Sequence, residues 1–499
     1  MSYQILEKSF YRLSQIDHAI SMLGWDQQVM MPPGGNEARG RALAELQVMS
    51  TEIMQSPELQ EAMAVAESQS GDLEDWQKAN LREMVSDIRA ANAVPAQLVE
   101  ALAIATNDCE HAWRSLRQEN NWQDFEPMLQ KVLLLKREKA QALKSALGHE
   151  KGYDNDYDAL LDLYDPGTRM QRIDPVFAQL KAELPVLLQQ VTERQNSVPP
   201  PVRQGTVIAK DRQIGLAREL MAILGIDFDR CRLDVAAHPF SGGVSDDSRI
   251  TARYDEGNAI EGIMAIIHET GHSRYETGLN RNWRHHPVGT SMGMGVHESQ
   301  SLFFEMQLGR SKPFIEAIAP LLRKHFGDDP AFEPGNLHRL YTHVEPGLIR
   351  VNADEVTYPL HVILRYELER DLILGGVEVK DIPARWDAAM KDYLNLDTAG
   401  NYRDGPMQDI HWPSGSIGYF PSYTLGAMTA AQLHHAMVQA IPDAPAMISR
   451  LELQPVFDWL SERIWQKGRL LDYDELMIGA TGEKLNPDHF LNHLRSRYL

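Results

Sequence analysis

The sequence contains very little cysteine and no long apolar stretch. Only Cys109 and Cys231 occur among its 499 residues, which excludes a disulfide framework and a cysteine-rich metal site. No run of about 18 uninterrupted apolar residues is present, so no transmembrane helix is predicted. The first residues, MSYQILEK, lack the basic segment, apolar run and cleavage site of a secretory leader. These absences favour a reduced, cytoplasmic protein.

Positive charge is also scarce. The chain has 49 lysines and arginines against 70 aspartates and glutamates, which gives a formal net charge of -21. Such an acidic protein is a poor partner for nucleic acid or for an anionic membrane. Because 43% of the residues are apolar, the chain can form a large packed core. If its ligand is an anion, the protein needs a local cluster of positive charge to bind it.

The apolar residues mostly recur with the period of an α-helix. Between Ile5 and Leu23 they lie three or four residues apart, as an amphipathic helix requires. A turn rich in proline and glycine at 31–35 ends this helix. Further helices are predicted at 37–67, 73–91, 129–147 and 176–194, and again from about 256 to the C-terminus, apart from loops at 330–334 and 400–418.

A short β-element is predicted just before the most informative helix. Residues 232–235 and 249–254 have the alternation and β-branching of short strands. Ser241-Gly242-Gly243 between them predicts a loop or turn. An exposed edge strand can hold an extended peptide by backbone hydrogen bonds.

The strongest local pattern is His268-Glu269-Thr270-Gly271-His272, an H-E-x-x-H within a predicted helix. Positions four residues apart share a helix face, so both imidazoles can bind one ion. Glu269 is offset by one residue and can approach the water of that ion without being a ligand. The competing interpretation is an apolar helix with two incidental core histidines, but only about 0.05 chance matches are expected in this length.

A catalytic zinc ion usually takes three protein ligands, so one more is needed. Six residues after His272 stands Gly278, so a third histidine at metzincin spacing is absent. Glu298, in a following predicted helix, is the predicted third ligand. Glu305 lies two turns further along the same face and could serve instead, or could hydrogen-bond to a ligand. His297 points about 100° away from Glu298 and is expected to be a neighbour.

This site predicts a hydrolase that uses one divalent metal ion. Zinc lowers the pKa of its bound water and polarises the scissile carbonyl. Glu269 is the predicted general base, which takes the water proton and can pass it to the leaving amine. The charge that develops on the tetrahedral intermediate needs hydrogen-bond donors besides the metal.

Six motifs follow one another in the C-terminal half of the chain. They are HPF at 238–240, DSRIT at 247–251, HETGH at 268–272, HESQ at 297–300, IRVNAD at 349–354 and GPMQDIHW at 405–412. Near the N-terminus, WD at 25–26 is followed by MMPPGG at 30–35. In this order the motifs resemble the carboxypeptidase Taq family of thermostable metallocarboxypeptidases.

The resemblance implies a mainly α, neurolysin-like zincin fold, with two helical lobes around a deep groove and a small β-element near the active site. It also implies one zinc ion per chain, with cobalt as an alternative, and a homodimer. Its implied substrates are peptides with a free C-terminus, accepted broadly but with poor release of proline. The chain is expected to form one unit over residues 1–499. For the metal site the resemblance agrees with the pattern, with ligands His268, His272 and Glu298 and base Glu269.

An exopeptidase must bind the terminal carboxylate of its substrate, and arginine does this best through two parallel hydrogen bonds. Arg350 is the predicted residue, because the resemblance assigns that role to its motif. The alternative is that Arg350 pairs with Asp354, four residues further along a helix.

The loop that contains the sixth motif is predicted to bind substrate as well. Exposed polar groups in loops often serve binding, and the resemblance places Gln408 and His411 at the C-terminal end of the substrate. Alternatively, Asp409 orients His411, and Trp412 is only a loop anchor.

Two further residues are predicted near the metal, so that the metal and substrate motifs lie within 238–426. Tyr423 is a candidate donor to the tetrahedral oxyanion, although a tyrosine whose ring packs in the core is an equal alternative. His238 is a candidate substrate contact or a loop buttress. Asp247 and Arg249 are expected to form an ion pair that holds the edge strand.

Three rival functions remain open at this point. An oligopeptidase that cuts internally could use the same helical zinc scaffold, but Arg350 and the motif at 405–412 favour a carboxypeptidase. An aminopeptidase is disfavoured because no Gly-x-Met-Glu-Asn element precedes the zinc helix. A peptide-binding protein without activity is disfavoured by the complete set of ligands and by Glu269.

Overall fold

Helices make up most of the chain, and one small sheet interrupts them. The structure is a computed structural model that describes residues 2–236 and 239–499. The helices and strands are α1 (Ser2–Val29), α2 (Asn36–Met54), α3 (Pro57–Ser68), α4 (Asp75–Ala93), α5 (Ala96–Gln118), α6 (Trp122–Lys151), α7 (Asp156–Leu161), α8 (Met170–Gln195), α9 (Lys210–Ile223), β1 (Cys231–Val235), β2 (Phe240–Val244), β3 (Asp247–Ala252), α10 (Ala259–Gly278), α11 (Met294–Leu302), α12 (Lys312–Phe326), α13 (Pro334–Tyr341), α14 (Tyr358–Leu374), α15 (Ile382–Leu394), α16 (Pro421–Ala440), α17 (Ala444–Ser449), α18 (Gln454–Arg463), α19 (Tyr473–Thr481) and α20 (Pro487–Tyr498). The predicted fold class, mainly α with a small β-element, is confirmed. None of the described helices has the length and apolarity needed to cross a bilayer.

The predicted long helix at 37–67 was wrong in one respect, because it is two helices. The break lies where α2 gives way to α3, at Ser56 and Pro57. Proline lacks an N–H and is favoured in the first turn of a helix, so it begins α3. The hydroxyl of Ser56 accepts a hydrogen bond from the backbone N–H of Leu59 and caps this new helix.

The sheet has the strand order β1-β3-β2, with β1 parallel and β2 antiparallel to β3. The prediction of a loop at Ser241-Gly242-Gly243 was wrong, because these residues form the centre of the edge strand β2. Gly243 has a φ of +86°, and a Cβ there would lie 2.1 Å from the carbonyl oxygen of Asp247. The glycine therefore permits the tight reversal between β2 and β3 rather than ending the strand.

The expected ion pair between Asp247 and Arg249 is confirmed. Two guanidinium nitrogens of Arg249 donate to the two carboxylate oxygens of Asp247 over 2.5 and 2.6 Å. The indole of Trp25, near the end of α1, lies 4.8 Å from the guanidinium carbon of Arg249. This cation–π contact joins the N-terminal helix to the β-element.

Two large apolar cores fill the protein, and α16 borders both of them. Leu425 and Met428 of this helix belong to the core that also contains residues of α5, α6, α8, α14 and α20. Leu433 and Met437 belong to the other core, which contains residues of α10, α11 and α12. The helix that carries Tyr423 is therefore shared between the part of the fold with the zinc-binding motif and the part with the Arg350 segment.

Glycines let three helices approach one another closely around Glu298. A Cβ at Gly271 of α10 would lie 2.7 Å from the carbonyl oxygen of Gln300 in α11. A Cβ at Gly426 of α16 would lie 2.9 Å from the Cβ and Cγ atoms of Glu298. Real Cβ atoms do not approach other atoms so closely. The helix α11 can therefore pack this tightly between α10 and α16 only because both positions are glycine.

The substitution Gly426→Ala is expected to lower the free energy of unfolding by about 1–3 kcal/mol, because the added methyl group overpacks the contact between α11 and α16. Gly479→Ala in α19 is the matched control, since nothing lies within 4 Å of a methyl group there. Alanine favours a helix interior, so the control should gain about 0.5–1 kcal/mol. Urea denaturation measures both free energies of unfolding. If Gly426→Ala were as stable as the wild type, α11 and α16 could move apart without cost.

Candidate active site

The two histidines of the H-E-x-x-H motif and Glu298 come together at one point. His268 and His272 lie on one face of α10, and Glu298 lies in the middle of α11. The Nε2 atoms of the two histidines are 3.9 and 3.4 Å from the Oε2 atom of Glu298. One ligand atom from each residue lies within 4.8 Å of the other two.

This donor set fits one divalent metal ion. Two imidazole nitrogens and a carboxylate oxygen are the ligands that catalytic zinc takes from proteins. An ion bound tetrahedrally at about 2.0–2.2 Å from each ligand would hold the ligand atoms roughly 3.3–3.6 Å apart. The separation of 3.4 Å already lies in that range, and the separation of 3.9 Å needs only a small contraction. Residues His268, His272 and Glu298 therefore could hold the metal, as the sequence predicted.

Glu305 contacts a histidine rather than joining the cluster of possible ligands. Its Oε2 atom lies 2.9 Å from Nδ1 of His268, and its Oε1 atom accepts a 2.6 Å bond from Arg310. Glu305 is part of a π-helical segment, Phe303–Gly309, that continues α11. A hydrogen on Nδ1 of His268 satisfies Glu305 and leaves the Nε2 lone pair for an ion. Of the two roles predicted for Glu305, the geometry favours hydrogen bonding to a ligand.

His297 is a neighbour of the cluster, as expected from its direction on α11. Its Nε2 atom lies 2.9 Å from Oε1 of Glu276, on the last turn of α10. Its ring stacks on that of His272, with centroids 4.5 Å apart and planes inclined by 28°. The stack restricts the imidazole plane of His272.

Glu269 lies beside the cluster and is almost fully buried, at 8% exposure. Burial raises its pKa to about 7, although the charge of His268 works in the opposite direction. Burial acts in the same direction on Glu298, but the charge of His268 and the hydrogen bond of His272 outweigh it and hold the pKa at about 2. The two neighbouring carboxyl groups therefore differ strongly in basicity, as the predicted base and the predicted ligand would require.

Arg350 is buried and does not pair with Asp354. Its side chain is 4% exposed, and its Nε and one terminal nitrogen donate to Asp409 over 3.1 and 2.7 Å. The other terminal nitrogen donates to the hydroxyl of Tyr358 over 2.5 Å. The alternative of a helical pair with Asp354 was wrong, because residues 350–352 form a short 3₁₀ turn and Asp354 accepts from the backbone of Thr357 instead.

Asp409 lies between two arginines. Its second oxygen accepts a 2.6 Å bond from Nε of Arg365, a residue of α14 that is 1% exposed. Both arginines lower the pKa of Asp409 far below its usual range, against the effect of burial. This group of two cations and one anion has a net positive charge inside a protein whose overall charge is -21.

The Asp409 carboxylate does not orient His411, contrary to one alternative from the sequence. His411 instead places Nε2 at 3.2 Å from the hydroxyl oxygen of Tyr423. Burial and the charge of Arg350 lower the pKa of His411 to about 4, so the imidazole is neutral. This contact with Tyr423 does not assign His411 to the substrate.

Both ends of the Gln408 side chain make contacts within the protein. Its amide oxygen accepts from the backbone N–H of Arg350 over 2.8 Å. Its amide nitrogen donates to the carbonyl oxygens of Leu348 and Asp404 over 2.9 and 2.7 Å. These bonds hold the Arg350 segment against the loop, so Gln408 supports the arginine through its side chain.

Tyr423 lies at the start of α16 with its ring against Arg350. Its ring centroid is 4.9 Å from the guanidinium carbon, and the ring also packs edge-on against Tyr358 and Tyr419. The negative charge of Glu298 contributes to raising the pKa of Tyr423, after the larger effect of burial. The phenol therefore lies within the electrostatic field of Glu298 as well as in contact with Arg350. His238, the remaining predicted residue, lies outside the described residues.

Several residues at this site were not predicted from the sequence. Tyr358 and Arg365 contact the Arg350–Asp409 pair from α14, and Asp165 accepts a 2.6 Å bond from the backbone N–H of Gly295 at the start of α11. A signal existed for Arg365, because it directly follows the apolar residues 362–364 of α14, and a charge in such a stretch needs a buried partner. For Asp165 no motif or spacing gave a signal.

Comparison with known proteins identifies the family. The family model described as carboxypeptidase Taq (M32) metallopeptidase matches residues 5–498. Thermostable carboxypeptidase 1 of Pyrococcus furiosus is 34% identical over 504 residues, covering 99% of this chain and 98% of that protein. Its namesake in Thermus thermophilus is 36% identical over 486 residues, covering 96% of this chain and 94% of that protein.

A solved structure agrees with these sequence matches. Metallocarboxypeptidase 1 of Trypanosoma cruzi superposes with a TM-score of 0.97 at 40% identity, covering 100% of this chain and 99% of that one. The resemblance expected from the six motifs is thereby confirmed. The chain belongs to the carboxypeptidase Taq (M32) family of metallopeptidases and is a peptide hydrolase of the metallocarboxypeptidase type.

Proposed function

We propose that this metallocarboxypeptidase releases residues from the free C-terminus of peptides, with Glu269 as general base and Arg350 as the residue that binds the terminal carboxylate. The proposed ligands of a single zinc ion are His268, His272 and Glu298, and cobalt could replace zinc. When bound, the ion supplies a Lewis acid that polarises the scissile carbonyl.

The observation that carries this proposal is the pattern of hydrogen bonds around Arg350. A guanidinium group has five N–H donors. Asp409 takes the Nε edge, and Tyr358 takes one hydrogen of the other terminal nitrogen. Among the described residues no acceptor takes the last N–H of either terminal nitrogen. If Tyr358 accepts the hydrogen of Nη1 that lies on the Cδ side, the two remaining N–H groups form a planar fork, which a carboxylate matches with both of its oxygens.

Glu269 has the environment that a general base needs. Its pKa of about 7 lets it accept a proton at neutral pH and give it up again. In the proposed reaction the carboxylate takes a proton from the attacking water and passes it to the leaving nitrogen. Because the side chain is 8% exposed, bulk water does not compete for that proton.

Tyr423 is the proposed donor to the tetrahedral oxyanion. Burial raises its pKa well above the usual value, so the phenol keeps its proton. If His411 carries its hydrogen on Nε2, it donates to the Tyr423 oxygen and leaves the phenolic O–H free to donate elsewhere. His411 would then act by orienting Tyr423, and Gln408 by fixing the backbone of Arg350. A role for His238 at the substrate stays a prediction.

Broad acceptance of terminal residues, poor release of proline, a homodimer and a cytoplasmic location are further proposals. They rest on the resemblance to the family, and on the scarcity of cysteine for the last of them.

The proposed reaction can be tested with two peptides that are identical except for a free or an amidated C-terminus. The wild-type protein should shorten only the free peptide, one residue at a time, and should slow down when proline becomes terminal. Glu269→Gln should lose the activity by at least about a hundredfold, because general-base catalysis typically contributes 10²–10⁴-fold. Mass spectrometry of timed digests measures both results.

Other outcomes of this digestion point to other functions. Internal cleavage of both peptides would replace the proposed carboxypeptidase by an oligopeptidase. Unchanged activity in Glu269→Gln would exclude Glu269 as the base. No cleavage by the zinc- or cobalt-loaded wild type would favour a peptide-binding role.

The proposed metal ligands can be tested by metal content. Glu298→Ala should lose the ion, because only two ligands remain. Glu305→Gln should bind it about 10–100-fold more weakly, because a neutral amide holds Nδ1–H of His268 less strongly than a carboxylate does. His489→Ala is the control, since that histidine contacts Glu483 at 2.8 Å elsewhere in the protein. Mass-spectrometric metal analysis after dialysis against graded chelator measures these affinities. Full metal content in Glu298→Ala would rule out this ligand set.

A further inference from the structure

A second buried carboxylate lies in α14, four residues after Arg365. Glu369 is fully buried, at 0% exposure. No ion pair to Glu369 is found among the described residues, and burial raises its pKa to about 7. An acidic side chain without a paired cation is costly to bury unless hydrogen bonds satisfy its oxygens. The partners that satisfy Glu369 therefore indicate its role.

Three hydrogen-bond donors point at the Glu369 carboxylate. The indole Nε1 of Trp412 donates to Oε1 over 2.8 Å. The backbone N–H of Gly418 and the hydroxyl of Tyr157 donate to Oε2, each over 2.8 Å. Each carboxylate oxygen thus holds one end of the segment 412–418. The two ends of this segment are bound to a single side chain of α14.

The same helix holds the preceding part of the loop through Arg365. Arg365 binds Asp409, and Asp409 in turn binds Arg350. Arg365 and Glu369 are four residues apart and so share a face of α14. One helix face therefore determines where the whole loop from Asp409 to Gly418 lies. The position of the loop determines which donors of Arg350 are covered.

We infer that Glu369 is a positioning residue for the recognition of the substrate carboxylate. By binding Trp412 and Gly418 it holds the loop so that Asp409 covers one edge of Arg350 and leaves the other edge open. This inference rests on the proposed role of Arg350. Within the described part of the chain, the hydrogen bonds of Glu369 reach none of the proposed metal ligands, so it acts through the loop.

Glu369→Gln tests the inference with almost no change of shape. Whichever way the amide turns, its NH₂ group meets an N–H of the loop, either at Trp412 or at Gly418. Binding is measured by calorimetry in a Glu269→Gln background, with peptides that have a free or an amidated C-terminus. The ratio of the two affinities should fall about tenfold, as expected when one hydrogen bond to a buried charged group is lost. Metal content should be unchanged.

A second variant and a matched control make the result specific. Trp412→Phe removes the same hydrogen bond from the loop side and should lower the ratio to a similar extent. Glu367→Gln makes the same substitution on the same helix, but Glu367 binds Lys181 and Tyr393 instead of the loop. This control should leave the ratio unchanged. A general loss of stability would lower the melting temperature without changing the preference for a free carboxylate.

The outcomes separate this inference from the proposed function. If the Glu269→Gln background does not prefer the free peptide, the proposed carboxylate site is wrong. If it does prefer that peptide and both Glu369→Gln and Trp412→Phe keep the full preference, the positioning role of Glu369 is overturned. The positioning role would also be overturned if the Glu367→Gln control lost as much of its preference for the free peptide as Glu369→Gln does.

Discussion

The close approach of three helices around Glu298 is the constraint on which the rest of the active site depends. Metal ligands must be placed to within a few tenths of an ångström, and Glu298 comes from a different helix than the two histidines with which it is proposed to bind the ion. A methyl group at Gly271 or Gly426 would occupy the space of α11 itself. The same packing places α16 beside α11, which brings Tyr423 into the field of Glu298. The proposed metal site and the proposed oxyanion donor are thus products of one packing arrangement.

The second requirement is electrostatic, because the proposed ligand is an anion and the protein is strongly acidic. Arg350 and Arg365 share Asp409, so a net positive charge remains where all three side chains are largely buried. Burial makes this small excess effective, because solvent and salt screen buried charges much less than exposed ones. The ring of Tyr423 adds a favourable surface for the guanidinium group. Local structure can therefore oppose the sign of the overall charge.

The helix α14 contributes to the positively charged group through Arg365. Its sequence also contained a signal for buried partners that the pattern analysis did not use. Its first half, residues 359–364, is apolar except for His361, which indicates that this part of the helix is buried. Arg365 and Glu369 are therefore charges that need partners inside the protein. The partners are Asp409, Trp412 and Gly418. They could not be predicted from the sequence, because contacts between distant segments produce no periodic pattern of residues.

The sequence by itself determined what depends on local spacing. It predicted the helical class, the strands β1 and β3, the two histidines on one helix face and the ion pair of Asp247 with Arg249, because each depends on residues near one another in the chain. Only the tertiary structure decided that β2 pairs as a strand, that Glu305 binds His268, and that Asp409 joins Arg350 to Arg365. These contacts arise from the packing of whole helices and strands, whose burial outweighs local preference.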